Sequence, residues 1–131
     1  MYQKIGDEVL DSVEVAKKIE ENTPFRLIND LTGATGREDA IGLRLACKIR
    51  AIPGFESKAQ PDEETVNAAM EALDEFSYME LKKVLYNRYA YMSFAYGYNE
   101  VEEDILFVLV LMLREIKEAK LKDVVNRLLK L

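Results

Sequence analysis

An all-α protein, folded as a compact bundle of five to seven helices around a central apolar helix near residues 101–119, is the architecture this chain's residue pattern indicates. Three observations carry that expectation. Apolar residues recur at spacings of three and four through most of the chain, the signature of one buried helix face. Three segments, Thr35-Gly-Arg-Glu38, Ser77-Tyr-Met-Glu80 and Asn99-Glu-Val-Glu102, match the capping box that opens helices, with a side-chain acceptor three residues before a glutamate. No alternating strand pattern longer than a few residues stands out.

The elements follow in order. Lys4 to Glu21 carries Ile5, Val9, Val13, Ala16 and Ile19 at helical spacing and closes at Asn22. Thr23-Pro24 restarts a short helix, with Thr as N-cap, Pro at the first helical position, and Phe25, Ile28 and Leu31 on its apolar side. The box at Thr35 opens a helix to about Ile52, with Ile41, Leu45, Ile49 and Ile52 on one stripe, and Pro53-Gly54 ends it. Pro61-Asp-Glu-Glu64 opens another to about Glu75, placing acids at its positive end. The box at Ser77 begins a helix rich in tyrosine, broken at Gly97. From the box at Asn99 to Leu131 neither Gly nor Pro intervenes. Ile105 to Leu113 is apolar all round, as in a helix surrounded by others. Leu121, Val124, Val125, Leu128 and Leu129 return to a one-sided stripe, so the segment is one long helix or two with a bend near Lys120. Short connections join these helices into a single domain, residues 1–131.

Composition bounds the function. About half of the 131 residues are apolar and about a third charged, a globular balance. There is no histidine, which removes the commonest general base and metal ligand. No metal or cofactor is expected; any metal would need carboxylates alone. The lone Cys47 excludes an internal disulfide and reads as a small buried residue. The net charge of −6 argues against wrapping nucleic acid over most of the surface. Acid concentrates between Asp62 and Glu80, while Arg26 to Lys58 carries a mild basic excess. The start of the chain shows no secretory pattern, and nine apolar residues from Ile105 to Leu113 fall short of the roughly 20 a membrane span needs. A cytoplasmic protein is expected. Abundant Lys and Glu with only two glutamines resembles a thermophile's composition.

Six of the seven tyrosines lie between Tyr78 and Tyr98. Tyrosine pairs a large apolar ring with a polar tip and suits contact surfaces. On a helix, Tyr78, Leu81, Leu85, Tyr89, Met92 and Tyr96 share the core side. Tyr91, Phe94 and Tyr98 fall nearly opposite, with Tyr86 at the margin. A second apolar face needs a second neighbour, so these four residues are the expected partner interface. The expected function is a non-enzymatic helical subunit or adaptor that self-associates or docks to a larger protein complex.

Three further patterns point elsewhere. Arg37, Arg44 and Lys48 are spaced 7 and 4 and would project from one helix face, where a nucleic-acid backbone could bind. That gives the alternative: a small helical subunit of a nucleoprotein complex, of a size that suits the small subunits of CRISPR effector complexes. Thr32-Gly-Ala-Thr-Gly36 resembles the Thr-Gly-x-x-Gly-x-x-Gly turn of extended short-chain dehydrogenases. The match covers five residues, Asp39 stands at the third glycine, and helix caps explain the same residues. Glu63-Glu64 with Glu71-Ala-Leu-Asp74 resembles the carboxylate motifs of MazG-type nucleotide pyrophosphatases, which implies a magnesium-dependent hydrolase as an outlying reading. Asn67 replaces the third glutamate there, and both motifs share one helix. A helix-turn-helix spanning Thr65–Leu73 and Tyr78–Tyr89 would lead with a strongly acidic helix, against phosphates.

Overall fold

Ile41, Leu43, Leu45 and Cys47 stand two residues apart, and all four are buried on one face of a strand. This is the chain's actual period over that segment: the computed structural model, which describes residues 1–57, 60–85 and 89–131, is α+β. Among the described residues the order is β1 (Tyr2–Ile5), β2 (Glu8–Asp11), α1 (Ser12–Asn22), β3 (Phe25–Asp30), β4 (Ile41–Lys48), α2 (Glu63–Val84), β5 (Tyr89–Asn99), β6 (Asp104–Leu113) and α3 (Glu118–Leu129). β1 and β2 form a hairpin. The other four make one antiparallel sheet in the order β3-β4-β6-β5.

The all-α bundle of five to seven helices is therefore corrected, element by element. The expected central helix near 101–119 is strand β6, the turn after it and the start of α3. β6 is apolar all round because it is an inner strand with a helical layer on each face, and such strands read as continuous hydrophobic runs. The tyrosine helix divides into the end of α2 and strand β5. The expected helix from Thr35 to Ile52 is a 3-10 turn, β4 and a second 3-10 turn. The helix after Thr23-Pro24 is β3, and Lys4–Glu21 is a hairpin followed by α1.

None of the three capping boxes opens a helix. Thr35 Oγ1 donates to the Thr32 carbonyl at 2.7 Å and accepts from the Arg37 N–H at 3.3 Å, closing a turn. Ser77 lies mid-helix in α2. Asn99 Oδ1 accepts from the N–H groups of Val101 and Glu102 at the β5–β6 turn. Short polar side chains close turns by the same local bonds with which they cap helices. The helix caps in use are Asp11, bonded by the Val13 N–H, and Asp62, bonded by the Thr65 N–H.

Two cores sandwich the sheet. On one face α1 and α2 cover Leu43, Leu45, Phe107, Leu109 and Phe25. On the other α3 lays Leu121, Val124, Val125 and Leu128 against Val108, Val110 and Met112. The 3-10 turn Thr32–Thr35 seats the start of β4 against α3. Its exit residue Gly36 has φ +68°, a left-handed backbone conformation that calls for glycine.

A candidate interaction surface at the β5 edge

The tyrosine run forms an outermost strand. β5 spans eleven residues, Tyr89–Asn99, and contains no charged side chain. It pairs with β6 on one side only, and among the described residues no strand lies beyond it. From Met92 to Tyr98 its outward backbone groups have no backbone partner among the described residues. Aromatic residues suit such a strand because they pack well on a pleated, half-buried surface.

Alternation divides the side chains. Tyr89, Tyr91, Ser93 and Ala95 face α2, and Ala90, Met92 and Phe94 face the α3 side. A bulge at Tyr96, between Ala95 and Gly97, resets the register, and Tyr98 returns to the α2 side. The predicted interface residues thus do not share a face. Tyr91 is half-buried against α2, its ring edge-on to Tyr78 at 6.1 Å. Burial first, then the neighbouring Tyr78 and Tyr89, pushes its hydroxyl up to about 12. Burial, then Glu103 and Glu100, raises Tyr98. Phe94 is on the opposite side and 50% exposed. Tyr86 lies outside the described residues. Tyr91, Phe94 and Tyr98 share the edge strand instead. Tyr78 and Tyr96, expected as core, are exposed at 51% and 40%, whereas Tyr89 is buried and its hydroxyl donates to Glu8.

α2 runs along the inside of this edge. Its Ser77 hydroxyl and the Ser93 hydroxyl lie 2.7 Å apart. Asn67, Glu71, Asp74, Tyr78 and Lys82 form an exposed flank on the β5 side, with the Lys82 ammonium 5.9 Å from the Tyr78 ring centre. A cleft of about 200 Å³ opens between Asp74, Tyr78, Tyr91 and Ser93. Partial burial there raises Asp74.

The opposite edge is built differently. β3 has six residues, a bulge between Leu27 and Asn29, and charged Arg26 and Asp30. The Glu20 carboxylate accepts from the Leu27 N–H at 3.0 Å, occupying an edge donor. These are the devices by which proteins blunt a sheet edge, and β5 has only its bulge.

The basic residues are not gathered as predicted. Arg44 and Lys48 do share a strand face, the α3 side of β4, but Arg37 is in the loop at the other end of that strand, ion-paired to Asp39 at 2.6 Å. Arg44 reaches across the sheet: one guanidinium N–H donates to Asn29 Oδ1 at 3.1 Å, and the guanidinium carbon is 6.0 Å from the Tyr96 ring centre. Sequence reasoning missed Arg26, which bonds the buried Asp104 at 2.6 Å, and Lys48 lies 3.6 Å from the same carboxylate. The clue for the edge itself was present: eleven successive residues without a charge in a chain one-third charged.

The remaining candidates resolve individually. Cys47 is fully buried, and desolvation, then Asp104 and Glu80, pushes its thiol up to about 12, far from a reactive thiolate. Thr32–Gly36 is a turn between antiparallel strands with no βαβ unit around it. Glu63, Glu64, Glu71 and Asp74 are all exposed on α2, and among the described residues no three metal-ligating side chains converge. Among the described residues no helix is long and apolar enough to cross a membrane. Comparison with protein-family models, curated proteins and solved structures finds no significant match.

Proposed function

We propose that this protein is a non-enzymatic subunit that works through protein–protein contacts, with the β5 edge and the adjoining flank of α2 as its contact surface. The difference between the two sheet edges carries the reading. An edge strand presents a row of N–H and C=O groups that template another strand. β3 is shortened, bulged, charged and capped by Glu20. β5 is long and uncharged, and it carries Phe94 and Tyr96 in water beside the outward backbone of residues 92–98, which has no backbone partner among the described residues. Phe94→Lys places a charge on that edge without disturbing a buried residue. The parent is expected to run above single-chain mass by light scattering, alone or in native extract, and Phe94→Lys to return to it with unchanged circular dichroism. Equal masses for the two proteins under both conditions would sink the reading.

A second reading, as a nucleoprotein subunit, has one observation in its favour. Arg26, Arg44 and Lys48 lie on the same side of the sheet as Phe94 and Tyr96, and cations beside exposed rings can hold phosphates while bases stack. Asp104 and Glu102 offset two of those cations, which ranks it second. It predicts that a fluorescent single-stranded oligonucleotide binds at low salt, with affinity falling steeply as salt rises and lost in Arg44→Glu. An oligonucleotide left free at low salt ends it.

A further inference from the structure

Resting on the contact-surface reading, we infer that the occupant of the β5 edge is a second copy of this chain. Its β5 runs antiparallel about a two-fold axis that passes beside Ser93 and beside α2 at Phe76–Ser77, joining two four-stranded sheets into one of eight strands. A two-fold interface requires a surface complementary to itself. β5 meets that condition about Ser93. Tyr91 falls opposite the partner's Ala95, Ala90 opposite the partner's Tyr96, and Met92 opposite the partner's Phe94. Tyr91 and Tyr96 thus each meet an alanine, and no charge on the strand meets a like charge, because the strand has none.

The flank of α2 meets the same condition about the same axis. Ser77 is bonded to Ser93, so the centre of the helix flank lies over the centre of the strand. Reversing α2 about the turn at Phe76–Ser77 brings Glu71 opposite the partner's Lys82 and Asp74 opposite the hydroxyl of the partner's Tyr78. All four residues are exposed and on the β5 side. On this flank acid precedes the axis and base follows it, so antiparallel copies attract where parallel ones would place acid on acid. Strand and helix are thus self-complementary about one centre. An unrelated strand would have no reason to match both.

A Ser93→Cys variant tests the axis. Directly opposed residues of an antiparallel pair have Cβ atoms about 5 Å apart, within reach of a disulfide after modest adjustment. Mild oxidation is expected to lock Ser93→Cys as a covalent dimer and to leave Tyr98→Cys, which lies off the axis, as monomer. Cys47 is buried and stays silent. A charge swap tests the helix seam: Glu71→Lys is expected to weaken dimerisation roughly tenfold, and adding Lys82→Glu to restore it. A parent that is monomeric at high micromolar concentration, but forms a complex in extract that Phe94→Lys abolishes, overturns the pairing of copies and leaves the contact surface standing. A dimer that ignores Phe94→Lys and gives no Ser93→Cys cross-link overturns both.

Discussion

Phe107→Ala is expected to lower the free energy of unfolding by about 3–5 kcal/mol, the range for deleting a buried aromatic ring. Phe107 is fully buried at the middle of β6, opposite Leu45 of β4 on one side and Ala95 of β5 on the other. Its ring meets Phe25 edge to face at 5.2 Å, and Phe25 meets Phe76 of α2 in the same manner at 5.8 Å. Three rings thus connect an inner strand, an edge strand and the covering helix. The hole left by alanine closes poorly, because the β6 backbone is held by ladders on both sides. A domain of this kind is stable by only about 5–15 kcal/mol, so the variant loses a large share of its margin. Urea unfolding of the parent, Phe107→Leu and Phe107→Ala checks this. The midpoints should fall in that order with unchanged slope. A midpoint for Phe107→Ala within experimental scatter of the parent's would show that the three rings do not form the centre of the core.

The strands carry a helix-like spacing for a particular physical reason. A spacing of four keeps residues on one face of a helix and equally on one face of a strand. Ile41, Leu45 and Ile49 satisfy both. The residues between them decide: Leu43 and Cys47 are apolar and buried on the same side, which only a strand explains. β5 misled similarly, since Leu81, Leu85 and Tyr89 continue a four-residue spacing out of α2 into the strand. β6 has no period to read, because it is covered on both faces. Where charges mark one face, the helices were legible: the stripe Leu121, Val124, Val125 and Leu128 buries as its spacing implies. The candidate surface was legible as a composition but not as a geometry. The tyrosine run was identified, but its division between two sheet faces depends on a strand period and on the bulge at Tyr96. Ser77 and Ser93 come together only because the chain reverses between α2 and β5, which no local pattern encodes.

Gly42→Val tests the other core, and its sign is the informative part. Glycine inside a strand is ordinarily a weakness, so a β-branched residue there should add up to about 1 kcal/mol of stability if space allows. Space does not allow it. A Cβ on Gly42 would lie 2.6 Å from Leu128 Cδ1 and 3.0 Å from Thr35 Cγ2, and Leu128 and Thr35 are both buried. α3 sits this close to the sheet because β4 carries no side chain at that point. Gly42→Val is therefore expected to destabilise by about 2–3 kcal/mol through overpacking. Leu128→Ala alone is expected to cost about 2–5 kcal/mol through the cavity it leaves. Together the two changes partly cancel, because the valine methyls occupy the volume the leucine vacates. The double variant should be more stable than the sum of the single losses predicts by about 1–2 kcal/mol, within the range for residues in direct contact. Urea midpoints for the four proteins of this cycle measure the coupling. Additive losses, to within about 0.5 kcal/mol, would mean that α3 does not rest on Gly42, and a gain in stability for Gly42→Val alone would mean that the helix stands farther from the sheet.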